Sequence, residues 1–142
     1  MTLHDLSQVY YLKSEINYLT VEIELLRMEA ESITSAAFTD LPKSKSNQRS
    51  IENRIAKIID YKEKCILMRL QLVDVRNEIL EYIDSIDDSQ TRQIFKLRFV
   101  DCLSWLSVAM SLGGGNTDKS VSQICYRYIA ARNRKISHET SN

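Results

Sequence analysis

The sequence predicts an all-α protein in which a long helical hairpin or coiled coil is followed by a helix-turn-helix. Only three glycines and one proline occur in 142 residues, and such a composition favours long helices over a sheet. Apolar residues recur at heptad spacing through much of the chain up to residue 86, and shorter amphipathic segments with turn residues between them follow. We therefore expect a helical module over 1–86 and a helix-turn-helix module over 87–142.

The first helical segment carries an uninterrupted heptad seam. The a and d positions hold only apolar side chains, which are Val9, Leu12, Ile16, Leu19, Ile23, Leu26, Ala30 and Ile33. Charged residues between them are expected to face solvent. The pattern ends near Thr34, and the segment up to Ser50 contains the one proline, Pro42. We expect a linker near 34–50 and, after it, a helix that is capped by the Ser50 hydroxyl.

A second heptad segment begins at Ile51. Its a positions hold Ile51, Ile58, Cys65, Leu72, Ile79 and Ile86, and its d positions hold Arg54, Tyr61, Met68, Val75 and Tyr82. Further apolar residues widen the stripe, namely Ile55, Ile59, Ile66, Leu70, Val73, Leu80 and Ile83. Because these apolar residues exceed what a two-stranded seam buries, they suggest a bundle or a homodimer through the coiled coil. Pairing of the two long helices within one chain or between chains stays open, although a loop of this length can close within a chain.

The formal net charge of zero conceals opposite charges in the two parts of the chain. Residues 1–88 contain 11 Lys and Arg against 16 Asp and Glu, net −5, whereas residues 89–142 contain 8 against 3, net +5. Phosphate backbones attract clusters of Lys and Arg. Any contact with nucleic acid is therefore expected in the last third of the chain.

Several classes of protein are disfavoured by what the sequence lacks. It has no uncharged apolar run of ~18 residues and no signal-peptide pattern, so we expect a cytoplasmic protein without a membrane partner. The cysteines, Cys65, Cys102 and Cys125, are widely spaced in apolar helical settings and are expected to be buried free thiols. His4 and His138 have no ligand-spaced partners. We therefore expect no metal, no cofactor and no enzymatic activity.

The basic third predicts three short helices, at about 88–100, 104–112 and 117–135. Asp87 and Gln90 have capping-box spacing for the first of these helices. The other two helices have the layout of a helix-turn-helix, in which a short helix and a longer one flank a turn that contains glycine.

Each part of the predicted helix-turn-helix has a candidate residue. Ser104 would cap the first helix, which would bury Trp105, Val108, Ala109 and Leu112. Gly113 would take the left-handed backbone of the turn. Thr117 or Asn116 would cap the second helix, which would bury Val121, Ile124, Cys125 and Tyr128.

The exposed side of the second helix supplies the candidate DNA-binding residues. These are Lys119, Ser120, Ser122, Gln123, Tyr126, Arg127, Arg134 and Lys135, and Arg132 and His138 would extend the basic surface. Arg can bond guanine through two hydrogen bonds, Gln can do the same with adenine, and Ser or Lys can hold phosphates. Tyr126 is the one tyrosine expected to contact nucleic acid, because Tyr61 and Tyr82 fall on the heptad seam.

Residues 92–100, Arg-Gln-Ile-Phe-Lys-Leu-Arg-Phe-Val, precede Ser104-Trp105 and the helix that contains Ala109. This run resembles the Arg-x-hydrophobic, Leu-Arg-aromatic and Ser-aromatic pattern of sigma factor region four. More widely, the chain resembles sigma-like transcriptional regulators of phages and prophages of the ArpU and RinA type. Those proteins share an N-terminal coiled coil, a polar linker with Leu-Pro, here Leu41-Pro42, and a second long helix. The resemblance implies a recognition helix that reads a promoter element.

The leading hypothesis is a sequence-specific DNA-binding transcriptional regulator that is phage or prophage encoded and binds double-stranded DNA. Its coiled coil would mediate self-association or contact with RNA polymerase. A DNA-packaging protein of the small terminase type also combines a helix-turn-helix with a coiled coil, and it stays open as an alternative. A helical scaffold without DNA contact is the third hypothesis.

Overall fold

The computed structural model describes residues 1–36 and 45–139. Within these ranges every regular element is helical and no strand occurs, so the predicted all-α class is confirmed. The α-helices are α1 (Leu3–Leu6), α2 (Gln8–Ala36), α3 (Lys45–Asp84), α4 (Ser89–Phe95), α5 (Trp105–Leu112) and α6 (Asp118–Glu139), and α4 continues into a single π-helical segment, Lys96–Val100. The chain forms two compact units, Leu12–Gln71 on the one hand and Met1–Tyr11 with Leu72–Asn142 on the other.

In the unit Leu12–Gln71, the two long helices pack together along the predicted heptad seam. The a and d side chains Leu12, Leu19, Cys65 and Met68 are buried, whereas the apolar residues at the c and f positions of α2 are exposed. The long helices therefore pair within the chain. The one charged d residue is accommodated at the seam, because Arg54 Nε donates to Glu29 Oε2 at 3.0 Å across the two helices.

The two ends of the predicted linker near 34–50 are helical, contrary to expectation. Residues 34–36 belong to α2 and residues 45–50 belong to α3, so Ser50 lies inside a helix and does not cap it. Its hydroxyl accepts a hydrogen bond from the Arg54 guanidinium instead. Residues 45–49 are polar but contain no Gly or Pro, and a helix that has already formed extends through such a stretch at little cost. The predicted Leu41-Pro42 feature lies outside the described residues.

The other compact unit has one apolar core. Its buried members include Leu6 and Val9 from the first two helices, Ile79 and Ile83 from the end of α3, Ile86 from the segment between α3 and α4, and Ile94, Phe95, Phe99, Val108, Val121 and Cys125. Phe95 is fully buried at the centre, with its ring 5.3 Å from that of Phe99 and 5.5 Å from that of Tyr128.

The predicted module boundary at residue 86 therefore falls inside this unit. The acidic-to-basic change near residue 88 marks the end of α3, but it does not mark the limit of the core. Helices α4, α5 and α6 each bury an apolar face, and side chains of α3 and the N-terminal residues supply part of the surface on which those faces pack.

The helix predicted over 88–100 is present, but its cap and its second half differ from expectation. Asp88, and not Asp87, is the N-cap: its carboxylate accepts from the Thr91 amide at 2.7 Å and from the Thr91 hydroxyl at 2.7 Å. These hydrogen bonds hold the pKa of Asp88 below its usual value. The helix widens to π geometry from Lys96 and ends before Cys102, whose φ is 60°.

The three thiols are free, but they do not share one environment. Cys65 and Cys125 are buried as predicted, whereas Cys102 is half-buried in a bend between helices and not in a helix. A left-handed φ at a residue other than glycine ends a helix effectively, since it turns the chain away from the helix axis.

Candidate nucleic-acid interface

Helices α5 and α6 form the helix-turn-helix segment, and local hydrogen bonds define where each begins. The Ser104 hydroxyl accepts from the Ser107 amide at 3.1 Å, which confirms the predicted cap of α5. Val108 and Ala109 are buried, whereas Trp105 and Leu112 are half-buried. The small side chain of Ala109 lies in the same buried cluster as Val121 and Cys125 of α6, and its burial was predicted from the sequence.

The turn is built from three consecutive glycines with positive φ. Gly113 has φ 64° and ψ −152°, and Gly114 and Gly115 have φ 64° and 77°. The Gly113 amide donates to the Ala109 carbonyl at 3.1 Å and completes the last turn of α5, while the Gly113 carbonyl accepts from the Asn116 amide at 3.2 Å. The combination of angles at Gly113 is essentially restricted to glycine, which explains the residue type at this position.

The N-terminus of α6 is capped by a reciprocal pair. The Ser120 amide donates to Thr117 Oγ1 at 3.1 Å, and the Thr117 amide donates to Ser120 Oγ at 2.9 Å. The arrangement is a capping box in which Ser replaces the usual Glu or Gln. Of the two predicted caps, Thr117 therefore fills the role, and the Asn116 side chain donates to the Gly113 carbonyl at 2.7 Å.

The polar face predicted for α6 is present. Val121 and Cys125 are buried and Ile124 and Tyr128 are half-buried on one side of the helix. Five of the candidate residues, Lys119, Gln123, Tyr126, Arg127 and Arg134, are exposed and lie within about 60° of Gln123 around the helix axis. None of the three cations among them, Lys119, Arg127 and Arg134, forms an ion pair within the part of the chain that the structure describes.

The remaining candidates occupy other positions. Ser120 and Ser122 are half-buried, and their hydroxyls bond within α6: Ser120 caps it, and Ser122 Oγ donates to the Lys119 carbonyl at 3.1 Å. Lys135 is exposed but lies about 120° around the helix from Gln123. The candidate face is therefore narrower than the set of residues that the sequence suggested. The side chain of His138 lies outside the described residues.

Arg132 does not extend the basic surface, contrary to expectation. Its guanidinium donates to Tyr128 Oη at 2.9 Å and to Ser85 Oγ at 2.8 Å, and it lies 4.4 Å from the centre of the Tyr82 ring. These contacts hold the guanidinium against the protein and away from the exposed face around Gln123. Arg132 is therefore a structural cation that links α6 to the end of α3.

A stack of three side chains, Arg98, Trp105 and Tyr126, supports the α6 face from one side. Of the three, only Tyr126 was predicted to contact DNA. The Arg98 guanidinium lies 4.8 Å from the Trp105 ring centre, and the Trp105 ring meets that of Tyr126 edge-on at 5.8 Å. Arg98 also donates to the Leu103 carbonyl at 2.7 Å. Arg98 and Trp105 belong to the Leu-Arg-aromatic and Ser-aromatic run, which was the available sequence signal for this stack. The run does not reveal that Trp105 contacts α6.

The described residues show neither a metal-ligand cluster nor a membrane-spanning helix. They contain no group of three His, Cys, Asp or Glu side chains that is arranged to hold a metal ion. None of the described helices is both long and apolar enough to traverse a bilayer. No family model, no curated protein sequence and no solved structure matches this chain.

Proposed function

We propose that the protein is a sequence-specific DNA-binding regulator of transcription that inserts α6 into the major groove. The observation that carries the proposal is the exposed face of α6, where Gln123 lies beside Lys119, Arg127 and Arg134, and these three cations have no ion-pair partner among the described residues. The proposed role is binding alone, and no catalytic step is attributed to the protein.

The chemistry of this face supports base and phosphate contacts. Gln123 and Arg127 are one helical turn apart, so their amide and guanidinium groups can reach neighbouring bases from a helix that lies in the groove. Lys119, near the N-terminus of α6, adds positive charge beside amides that favour a phosphate. The stacked Trp105 restricts Tyr126 and makes its ring a preorganised contact for the sugar-phosphate backbone.

The net charge of +5 over residues 89–142 supports the same proposal. It predicts salt-dependent attraction to any DNA, on which the base contacts impose a sequence preference. The resemblance of residues 92–109 to sigma factor region four extends the proposal to promoter DNA and to RNA polymerase as a partner.

The experiment is fluorescence anisotropy with full-length protein, DNA fragments from around the promoter of its own gene, and unrelated DNA of equal length. We expect tighter binding to the promoter fragments, with affinity that falls as salt increases. Gln123→Ala and Arg127→Ala should each weaken specific binding by ~1–3 kcal/mol. Lys64→Ala, which removes an exposed charge from α3, is the matched control and should leave the sequence preference unchanged.

Three outcomes would contradict the proposal. Unchanged affinity in both α6 variants would exclude this face as the reader of bases. Absence of binding to any DNA at low salt would exclude a DNA-binding role and favour a helical scaffold. Binding without sequence preference, together with a ring of many subunits, would favour a packaging protein of the small terminase type.

A further inference from the structure

Helix α3 exposes an apolar stripe that the pairing with α2 leaves uncovered. Ile59, Ile66, Leu70 and Val73 are between 52% and 61% exposed, although side chains of this type are usually buried. Of the additional apolar residues that widen α3, only Leu80 and Ile83 pack against the core. The stripe therefore needs an explanation other than the fold of one chain.

The stripe has the spacing of a second coiled-coil seam. Alternating steps of three and four residues connect Ala56, Ile59, Glu63, Ile66, Leu70, Val73 and Asn77. Five of these seven positions are apolar, which is the pattern by which a helix pairs with another helix along its length. Within the seam, Asn77 is the kind of polar residue that specifies register, while Glu63 weakens the pairing.

The charges on the two sides of the seam are different. One side carries Lys62, Arg69 and Arg76, and the other carries Asp60, Leu67, Asp74 and Glu81. All seven side chains are exposed, and the six charged ones form no ion pair within the described parts of the chain. These residues occupy the positions that flank a coiled-coil interface and determine the choice and direction of the partner.

We propose that the occupant of this seam is the α3 helix of a second copy of the chain, in parallel orientation and in register. In a parallel pair, a residue on one flank meets the residue five positions later on the opposite flank of the partner helix. Arg69 would then face Asp74 of the second copy, and Arg76 would face Glu81, and the two-fold symmetry doubles both pairs. An antiparallel pair would instead place Arg and Lys side chains opposite one another.

The parallel arrangement gives the dimer a defined polarity. Both copies of α3 end at Asp84 at the same end of the pair, and the helix-turn-helix segment follows in each chain. Two recognition helices would then be available to two half-sites of DNA. The dimer itself does not depend on the proposed DNA binding, because it is measured on the protein alone.

The first test is the molar mass of the full chain by light scattering and sedimentation equilibrium. We expect twice the chain mass of 16.5 kDa for the wild type and the chain mass for Ile66→Glu. The matched control is Leu25→Glu, which charges an exposed apolar residue on α2 and should leave the dimer intact. Circular dichroism of each variant verifies that helix content is retained, and Leu70→Glu provides a second disruption of the seam.

The second test addresses orientation. Arg69→Glu with Arg76→Glu should raise the dimer dissociation constant by on the order of tenfold, about 1.4 kcal/mol. Adding Asp74→Arg and Glu81→Arg to the same chain should return the dissociation constant to its wild-type value, because each ion pair between the two copies is then present with its charges reversed. Ala56→Cys and Asn77→Cys should each form a disulfide with the same residue of the partner, since equivalent seam positions face each other only in a parallel pair.

The results that would overturn the proposal are specific. A wild-type monomer at high protein concentration excludes the dimer. Dissociation by Leu25→Glu but not by Ile66→Glu or Leu70→Glu assigns the interface to α2. Failure of the fourfold charge reversal to restore the dimer, together with failure of both cysteine variants to cross-link, excludes the parallel register.

Discussion

The Arg132 guanidinium of α6 lies 4.4 Å from the centre of the Tyr82 ring of α3. The same guanidinium donates to Ser85 Oγ at 2.8 Å, near the C-terminus of α3. A cation that lies over an aromatic face and also donates hydrogen bonds stabilises the fold through both interactions. This contact therefore fixes the long helix α6 against α3 beyond the point where the apolar core ends.

Replacing Arg132 should destabilise the protein without removing a DNA contact. We expect Arg132→Ala to lower the free energy of unfolding by about 1–2 kcal/mol, since a cation–π contact and two hydrogen bonds are lost. Urea denaturation of the full chain gives this value. Arg134→Ala, an exposed neighbour on α6, should change stability by less than about 0.5 kcal/mol. Equal effects of the two substitutions would contradict the structural role.

The Tyr82 hydroxyl is buried and has no hydrogen-bond partner within the described residues. Burial raises the pKa of Tyr82 above its usual value. Because an unpaired buried hydroxyl carries a desolvation cost, Tyr82→Phe should leave stability unchanged or increase it by up to about 1 kcal/mol. Thermal and urea unfolding measure the change. A loss above about 1 kcal/mol would indicate that the hydroxyl has a partner after all.

Gly113 should be the least replaceable residue of the turn. Its φ of 64° with ψ −152° is unfavourable for any residue with a Cβ, although no atom lies close enough to obstruct one. Gly113→Ala should therefore cost about 1–3 kcal/mol through backbone strain alone. Differential scanning calorimetry tests this expectation. Ser111→Ala, at an exposed position on α5, is the control and should have a much smaller effect.

The thiol of Cys125 makes stability depend on pH in the alkaline range. Burial raises its pKa from 9.0 to about 12, with a partly opposing effect of Arg98. The unfolded chain therefore loses this proton first as the pH rises. The thiol's contribution to stability is fully present below pH 9 and is lost as the pH rises towards 12.

Comparison of the wild type with Cys125→Ala isolates this effect. Urea unfolding at a series of pH values between 8 and 11 should show that the wild type loses stability more steeply than the variant. The other titrating groups are common to both proteins, so their contributions cancel in the difference. Parallel pH profiles would show that the thiol has no raised pKa in the folded protein.

The local pattern of residues along the chain was sufficient to predict much of the fold and part of the candidate site. The heptad positions of α2 and α3 are all buried or half-buried, because helical periodicity depends only on spacing along the chain. The Ser104 cap, the Gly113 turn and the exposed face around Gln123 followed from residue type and spacing for the same reason.

Spacing alone could not decide which side chains meet across long separations in the chain. Arg132 has the charge and position expected of a DNA contact, yet Ser85 and Tyr82 bind it inside the protein. The composition of residues 45–50 suggested a linker, but they extend α3. Equally, only the folded chain shows that Leu80 and Ile83 enter the core while Ile66 stays exposed.

The sequence by itself determined the helical class, the heptad seam and the chemistry of the α6 face, since these depend on each residue and its near neighbours along the helix. The tertiary structure decided which cations are free to bind a partner and which apolar residues stay exposed. Both outcomes depend on contacts between residues far apart in the chain, and no local pattern encodes such contacts.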